Sequence, residues 1–328
     1  MTRTCGRGSR DGDAGGLLRP RADEVIPPAD AHLTRRQVLQ VGSLAAGAST
    51  TAALLGACTS SSVSSAPTTP AATATATATP TVQTTATPSP TTPTSVAFNP
   101  AALQALEEKF AGRTPSAWGL DIAGIMQRTD SSAVALTLDA CGGDGGNAVD
   151  MRLLDFLRER SIRATLFLNQ RWIHANEQLA IQLTSDPLFE LGNHGTKHCP
   201  LSVVGRDAYG IAGTASVKEA ILEVAHNHRT LFELTGKEPR WFRSGTAHYD
   251  DVGVQICLEL GETPVGFSVN ADGGATFPAA DVAEATLQAD AGAILIAHFN
   301  QPDGETAPGL ELALPQLLDA GFRFDFLS

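Results

Sequence analysis

His194 and His198 stand four residues apart in Asn193-His194-Gly195-Thr196-Lys197-His198. On one helical turn that spacing brings two imidazoles to the same side, as binding of a divalent cation requires. Asp139 leaves the apolar run Val134-Ala135-Leu136-Thr137-Leu138 and enters a glycine-rich stretch, Ala140-Cys141-Gly142-Gly143-Asp144. A third apolar run ends at Phe242-Arg243-Ser244-Gly245-Thr246, another at Asn270-Ala271-Asp272-Gly273-Gly274, and another at Ile296-Ala297-His298. Carboxylates, imidazoles and a guanidinium are the groups that bind metal, move protons and stabilise charge in hydrolysis. Each is weak evidence alone. Their joint position, just past the ends of apolar runs, is the signal.

The surrounding pattern explains how they would meet. Strand-like runs are expected at Ala133–Leu138, Ala164–Leu168, Phe189–Gly192, Arg240–Phe242, Val265–Val269, Ala293–Ala297 and Phe322–Leu327. Helical periodicity lies between them, at Val149–Arg160, Asn176–Thr184, Val217–Thr235, Asp251–Leu260, Val282–Ala289 and Leu310–Ala320, with a short helix before them at Ala101–Gly112. Gly236, Gly261 and Gly321 fall just past helix ends, where a left-handed cap is favoured. Seven strands alternating with helices imply a parallel sheet with helical crossovers, either open or closed as a barrel. In both architectures the chemistry gathers at the C-terminal strand ends.

The chain has 328 residues, 42% of them hydrophobic, enough for a sizeable core, and a formal charge of −12. The acidic balance argues against a nucleic-acid partner, since phosphate binding needs a basic surface. Residues 1–57 read as a signal segment. Arg35-Arg36 precede a mildly apolar stretch, a twin-arginine type of export address. That stretch ends at Leu55-Gly56-Ala57-Cys58, which resembles a bacterial lipobox in which Cys58 would carry the lipid. Residues 58–97 are almost entirely Thr, Ala, Ser, Pro and Val and read as a disordered linker. The expected location is therefore exported and lipid-anchored on the outer face of the cytoplasmic membrane, with the folded domain at 98–328.

The motifs in this order resemble those of the polysaccharide deacetylases of NodB homology, whose pattern is Thr-Phe-Asp-Asp, His-(Ser/Thr)-x-x-His, Arg-x-Pro, an Asp and Leu-x-His. Here they read Thr137-Leu138-Asp139-Ala140, His194 to His198, Arg243-Ser244-Gly245, Asp272 and Ile296-Ala297-His298. The resemblance covers about 131–328 and implies an α/β fold, a distorted (β/α)7 barrel. It implies a divalent metal, zinc foremost, held by His194, His198 and an aspartate, and Asp139 as general base. His298 would protonate the leaving amine, and an Arg243–Asp272 ion pair would orient these groups. A backbone N–H near Gly245 and Thr246 would meet the oxyanion, and Tyr249 would join these two in binding the sugar.

This chain departs from the pattern at Ala140, where the family has its third metal ligand. A methyl group cannot ligate. Asp139 itself is the favoured replacement, with Asp144 or water as alternatives. Cys141 and Cys199 follow two of the site elements. They would form a disulfide after export, remain unpaired, or supply a thiolate to the metal. Cys257 reads as core. His226 and His228 read as surface residues, and Trp172 and Trp241 as core rather than sugar platforms. The function implied is removal of N-acetyl groups from a cell-envelope or other extracellular polysaccharide. The alternatives are an O-acetyl esterase on the same fold, or a catalytically decayed glycan-binding envelope protein.

Overall fold

The computed structural model describes residues 96–328. The signal segment and nearly all of the linker lie outside the described residues. Val96–Phe98 form a short helical turn, and Ala97 is fully buried in the cluster of Leu106 and Phe110. Helix α1 (Pro100–Phe110) starts where Asn99 accepts hydrogen bonds from the amides of Ala101 and Ala102 at 3.0 and 3.2 Å. Strand β1 (Trp118–Gly119) then leads through an irregular stretch to the barrel.

The elements follow in the order β2 (Ala135–Ala140), α2 (Met151–Glu159), β3 (Ala164–Leu168), α3 (Gln170–Ala175), α4 (Glu177–Thr184) and β4 (Phe189–Asn193). After a long loop come α5 (Val217–Thr235), β5 (Trp241–Phe242), β6 (Tyr249–Asp250), α6 (Asp251–Glu259), β7 (Thr263–Pro264) and β8 (Val269–Asn270). The chain ends with α7 (Ala279–Thr286), β9 (Ile294–His298) and α8 (Thr306–Asp319). Seven strands form one parallel sheet in the order β7-β5-β4-β3-β2-β9-β8. That order is the chain order wrapped around a cylinder and left open between β7 and β8, so the sheet is the curled (β/α)7 half-barrel that the motifs implied.

Two strand expectations are corrected. The stretch 265–269 is not one strand. β7, just before it, pairs with β5, and β8, which starts at its last residue, pairs with β9 on the opposite edge of the sheet, so residues 265–268 cross the seam between them. The seam edges are not left bare: Gly266 donates to the Met126 carbonyl at 2.8 Å and Phe267 to Gln127 Oε1 at 3.0 Å. The final run, 322–327, makes a single parallel bridge from Phe324 to Val134 and enters no sheet. Its Leu327 instead turns into the barrel, where it is 2% exposed among Ala135, Phe167, Trp241, Val265 and Ile294.

The pleat sorts side chains by parity. On β2, Leu136, Leu138 and Ala140 pack outward in the core shared with Leu153, Leu157 and Leu310, while Ala135 belongs to the inner cluster. Thr137 and Asp139 therefore face the barrel interior, and β9 sends Ile294, Ile296 and His298 the same way. The interior is apolar at the N-terminal end, where Leu327 plugs it, and polar at the C-terminal end. Leu327→Ala is expected to lower the unfolding free energy by about 2–4 kcal/mol, read as a reduced urea midpoint. An unchanged midpoint would remove the C-terminal segment from the core.

Candidate active site

Each functional side chain sits where a strand ends. Asp139 is the last inward residue of β2 and is 2% exposed. Its Oδ1 accepts from Arg243 Nη1 at 2.7 Å, and the same nitrogen donates to Thr137 Oγ1 at 2.8 Å. Arg243, just past β5, is wholly buried; its Nη2 donates to the Gly266 carbonyl at 2.8 Å and its guanidinium carbon lies 4.3 Å from the centre of the Phe167 ring. Asp272, just past β8, faces His298 at the end of β9, with both carboxylate oxygens 3.1 Å from Nδ1. Thr306 and the amides of Gly274 and His298 also donate to Asp272. The expected Arg243–Asp272 ion pair is therefore not formed. The two residues serve separate pairs, Arg243 with Asp139 and Asp272 with His298, because the curled sheet puts each beside a different strand end.

His194 follows β4 and His198 lies in the turn beyond it, their rings meeting edge to face at 4.8 Å. The turn is not a helix. Gly195 and His198 both take positive φ, +77° and +61°, and a Cβ on Gly195 would come within 2.4 Å of Glu223 Oε1. Glu223, buried on α5, holds this turn by accepting from the amides of Lys197 and Cys199 at 3.0 and 3.1 Å. Asn169, the cap of α3, donates to the carbonyls of His194 and Gly195. His194 Nδ1 lies 2.8 Å from the Arg243 carbonyl. A carbonyl only accepts, so Nδ1 carries a proton and Nε2 is the nitrogen left for another partner.

That nitrogen faces Cys141. Sγ is 3.8 Å from His194 Nε2, and the donor atoms of Cys141, His194 and His198 all lie within 4.8 Å of one another. One thiol and two imidazoles, with one imidazole oriented by a backbone carbonyl, are a donor set suited to zinc. Asp139 Oδ2 is 3.6 Å from His194 Nε2, but its carboxylate is committed to Arg243 and lies outside this trio. Asp144 is exposed at the cavity mouth and is also outside it. The position expected of Asp139 is thus taken by Cys141, because the glycine loop turns the residue after Ala140 back toward the histidines. Cys141 is a free thiol, so the expected Cys141–Cys199 disulfide is absent. Burial alone would raise the Cys141 thiol. The charge of His198 and hydrogen bonds from His194, His198 and His298 outweigh that and hold it well below its ordinary value. Burial would likewise lower the His298 imidazole, yet the Asp272 carboxylate holds it well above the usual histidine range.

Asp139, Cys141, His198 and His298 line one cavity of about 480 Å3, together with Thr246, Tyr209, Ile211, Phe267 and Asn300, while His194, Arg243 and Asp272 are buried outside its lining. Of the three expected sugar contacts, Thr246 is at this cavity, with a positive φ of +67°. The Gly245 amide is spent on the Cys199 carbonyl at 3.1 Å. Tyr249 is wholly buried, and its hydroxyl is bonded among the backbone groups of Phe242, Ser244 and Val265. It cannot stack on a sugar, because the β1–β6 pairing draws it into the core. Trp172 and Trp241 are core, as expected.

Sequence reasoning missed Glu223 and misplaced His228. His228 is buried and its Nδ1 lies 2.7 Å from Glu262 Oε1, which also accepts from Asn193. A signal existed. Ala220, Glu223, Val224, Asn227, His228 and Leu231 recur at helical spacing on the buried stripe of α5, and three of them are polar.

Residues 126–265 match the sequence model described as polysaccharide deacetylase. The fold resembles the Bc1960 peptidoglycan N-acetylglucosamine deacetylase, at 20% identity and a TM-score of 0.53, covering 62% of this chain and 91% of that one. It also resembles BA3943 of Bacillus anthracis, described as a CE4 family pseudoenzyme, at 22% identity and 0.51, covering 62% and 68%. A BA3943 mutant described as having restored enzymatic activity is similar at 23% and 0.51, covering 62% and 70%. The uncharacterized protein YlxY of Bacillus subtilis is 24% identical over 178 residues, 54% of this chain, and the chain spans about half of that relative's length. Residues 126–265 thus match the polysaccharide deacetylase model, and the motifs stand on the strand ends of a curled seven-stranded barrel similar to these structures.

Proposed function

We propose that this protein is an exported, lipid-anchored, metal-dependent hydrolase that removes N-acetyl groups from a cell-envelope polysaccharide. The observation that carries the reading is the Cys141–His194–His198 trio beside an Arg243-held Asp139 and an Asp272-held His298, at a cavity lined by Asp139, Cys141, His198 and His298. A divalent metal held by the trio would polarise the acetamide carbonyl and make a bound water acidic. Asp139 takes the proton from the attacking water, its carboxylate fixed in direction by Arg243. His298, kept protonated by Asp272, gives its proton to the leaving nitrogen. The Thr246 amide, in a turn whose Gly245 amide is already bonded, is the backbone donor available to the oxyanion. Base and acid thus have separate partners. The anchor rests on Arg35-Arg36 and the lipobox-like Leu55–Cys58 alone, and no helix among the described residues is long and apolar enough to cross a membrane.

A second reading is favoured by one feature, the thiol in place of a carboxylate ligand. It is a glycan-binding protein that no longer turns over, as the likeness to a described pseudoenzyme allows.

Three outcomes separate these readings. Purified chain is expected to hold about one zinc or cobalt by elemental mass spectrometry, to lose it in Cys141→Ala and His194→Ala, and to keep it in Asp144→Ala. No metal after reconstitution would move the binding reading to first place. His298→Ala should retain metal while acetate release from N-acetylated glycan falls by about 100-fold or more; unchanged release would sink the acid role. Because Asp272 raises the His298 pKa, the protonated acid is lost only as pH rises through that raised value. Asp272→Asn should therefore move the alkaline fall of kcat/KM to lower pH, and an unmoved limb would show that Asp272 does not set it.

A further inference from the structure

Cys141 and His194 leave different strands, yet one short segment bonds to both. It is Leu168-Asn169-Gln170-Arg171, where β3 runs into α3. The Asn169 amide donates to the Ala140 carbonyl at 3.1 Å, and Arg171 Nη2 donates to the Cys141 carbonyl at 3.0 Å. Those are the peptide planes on either side of the Cys141 Cα. The His194 amide donates to the Leu168 carbonyl at 3.1 Å, and Asn169 Nδ2 donates to the His194 carbonyl at 2.9 Å. Those planes flank the His194 Cα. A Cα between two held peptide planes has its Cβ direction fixed. The Cys141 sulfur then has one torsion left, and it places Sγ 3.8 Å from His194 Nε2. His198 is held apart from this segment, by Glu223 through the Lys197 and Cys199 amides.

The Arg171 guanidinium is itself aimed. Its Nε donates to Asn169 Oδ1 at 3.1 Å, the oxygen that also accepts the Arg171 amide. The glycine loop makes room for it. Gly142 and Gly143 take φ of +66° and +83°. A Cβ on Gly143 would lie 2.6 Å from Arg171 Nη1, and one on Gly142 would lie 2.5 Å from the Trp172 amide nitrogen. Helix α3 also holds the far end of the loop. Trp172 Nε1 donates to the Ala148 carbonyl at 3.1 Å, and Asn176 Nδ2 donates to the Asn147 carbonyl at 2.9 Å. Arg171 lies outside the lining of the cavity that holds Asp139 and His298, so it does not meet the substrate. Burial outweighs the nearby Glu223 carboxylate and holds the guanidinium below the usual arginine range. A cation kept at that cost, with its fork spent on an amide oxygen and a carbonyl, serves the placement of the loop.

We infer that Arg171, seated by Asn169, is the positioning residue that makes Cys141 the third donor of the metal site. The inference rests on the metal-dependent reading above. It adds how a chain with Ala140 supplies its third ligand: the Gly142-Gly143 turn lies against an arginine that holds the cysteine's peptide group, and the thiol is turned toward the histidines. Groups that orient ligands in this way are part of what sets the affinity of a metal site.

The test uses the full chain, stripped of metal with chelator. Zinc dissociation constants are measured in competition with a chromophoric chelator. Saturating cobalt then reads the near-ultraviolet thiolate-to-metal charge-transfer band, which reports bound sulfur whether or not anything turns over. Arg171→Met should weaken zinc binding by about 10- to 100-fold. It should also lose most of the thiolate band while the visible absorption of bound cobalt persists, and melt within a few degrees of the unaltered chain. Arg171→Lys, which keeps the charge but not the fork, should fall between the two. Gly143→Ala, which puts a methyl group against Arg171 Nη1, should reproduce the loss. Unchanged zinc affinity and an undiminished band in Arg171→Met overturn the inference; if that variant melts early, the same result in Gly143→Ala overturns it. Zinc bound by the unaltered chain with no thiolate band in its cobalt form also overturns it, and leaves hydrolysis standing. An Arg171-dependent band in a loaded chain that releases no acetate fails the hydrolase reading and leaves this inference in place.

Discussion

A guanidinium with no exposure to solvent lies at the centre of this domain. Burying that charge is tolerable only where partners surround it. Arg243 gathers them from across the barrel: Thr137 and Asp139 from β2, the Gly266 carbonyl from the seam, and the Phe167 ring from β3. Its own carbonyl fixes the ring of His194. One side chain and one peptide group thus set the base, the orientation of a candidate metal ligand and the closure of the open edge. Removing one partner of such a buried pair costs about 3–5 kcal/mol, so fold and site are not separable at this residue.

The second organising device is a divided polar layer. Asp139 and His298 lie on adjacent strands, paired in register through β2 and β9, yet each carries its own counter-charge. Separation by strand gives the two groups separate partners, and the Asp272 carboxylate holds the His298 imidazole well above the usual histidine range.

The trio of Cys141, His194 and His198 distinguishes this site from the family pattern of an aspartate and two histidines. Thiolate is a softer donor than carboxylate and favours zinc over harder cations such as magnesium. It is also open to oxidation in a way that a carboxylate is not. Asp139, Arg243, Asp272 and His298 of the pattern are present here, and the three groups that could hold a metal include a thiol.

Much of the fold was legible in the residues. Apolar runs alternating with helical periodicity led to a parallel sheet with helical crossovers, and the motif resemblance added the barrel. Placing Asp139, His194, His198, Arg243, Asp272 and His298 at strand ends led to one end of the sheet, because parallel strands bring all their C-termini to one face. Pairing at that end was not legible. Which of two aspartates Arg243 meets depends on the curl of the sheet, not on chain order. Tyr249 and Tyr209 show the same limit. One is two residues from a site turn yet buried by β1–β6 pairing, and the other is far in sequence yet stands at the rim. Sequence by itself determined most element types and the set of reactive groups, since these follow from local periodicity and residue chemistry. Only the tertiary structure decided the third donor, the two charge pairs and the exposed tyrosine, since these depend on contacts between residues tens to more than a hundred positions apart.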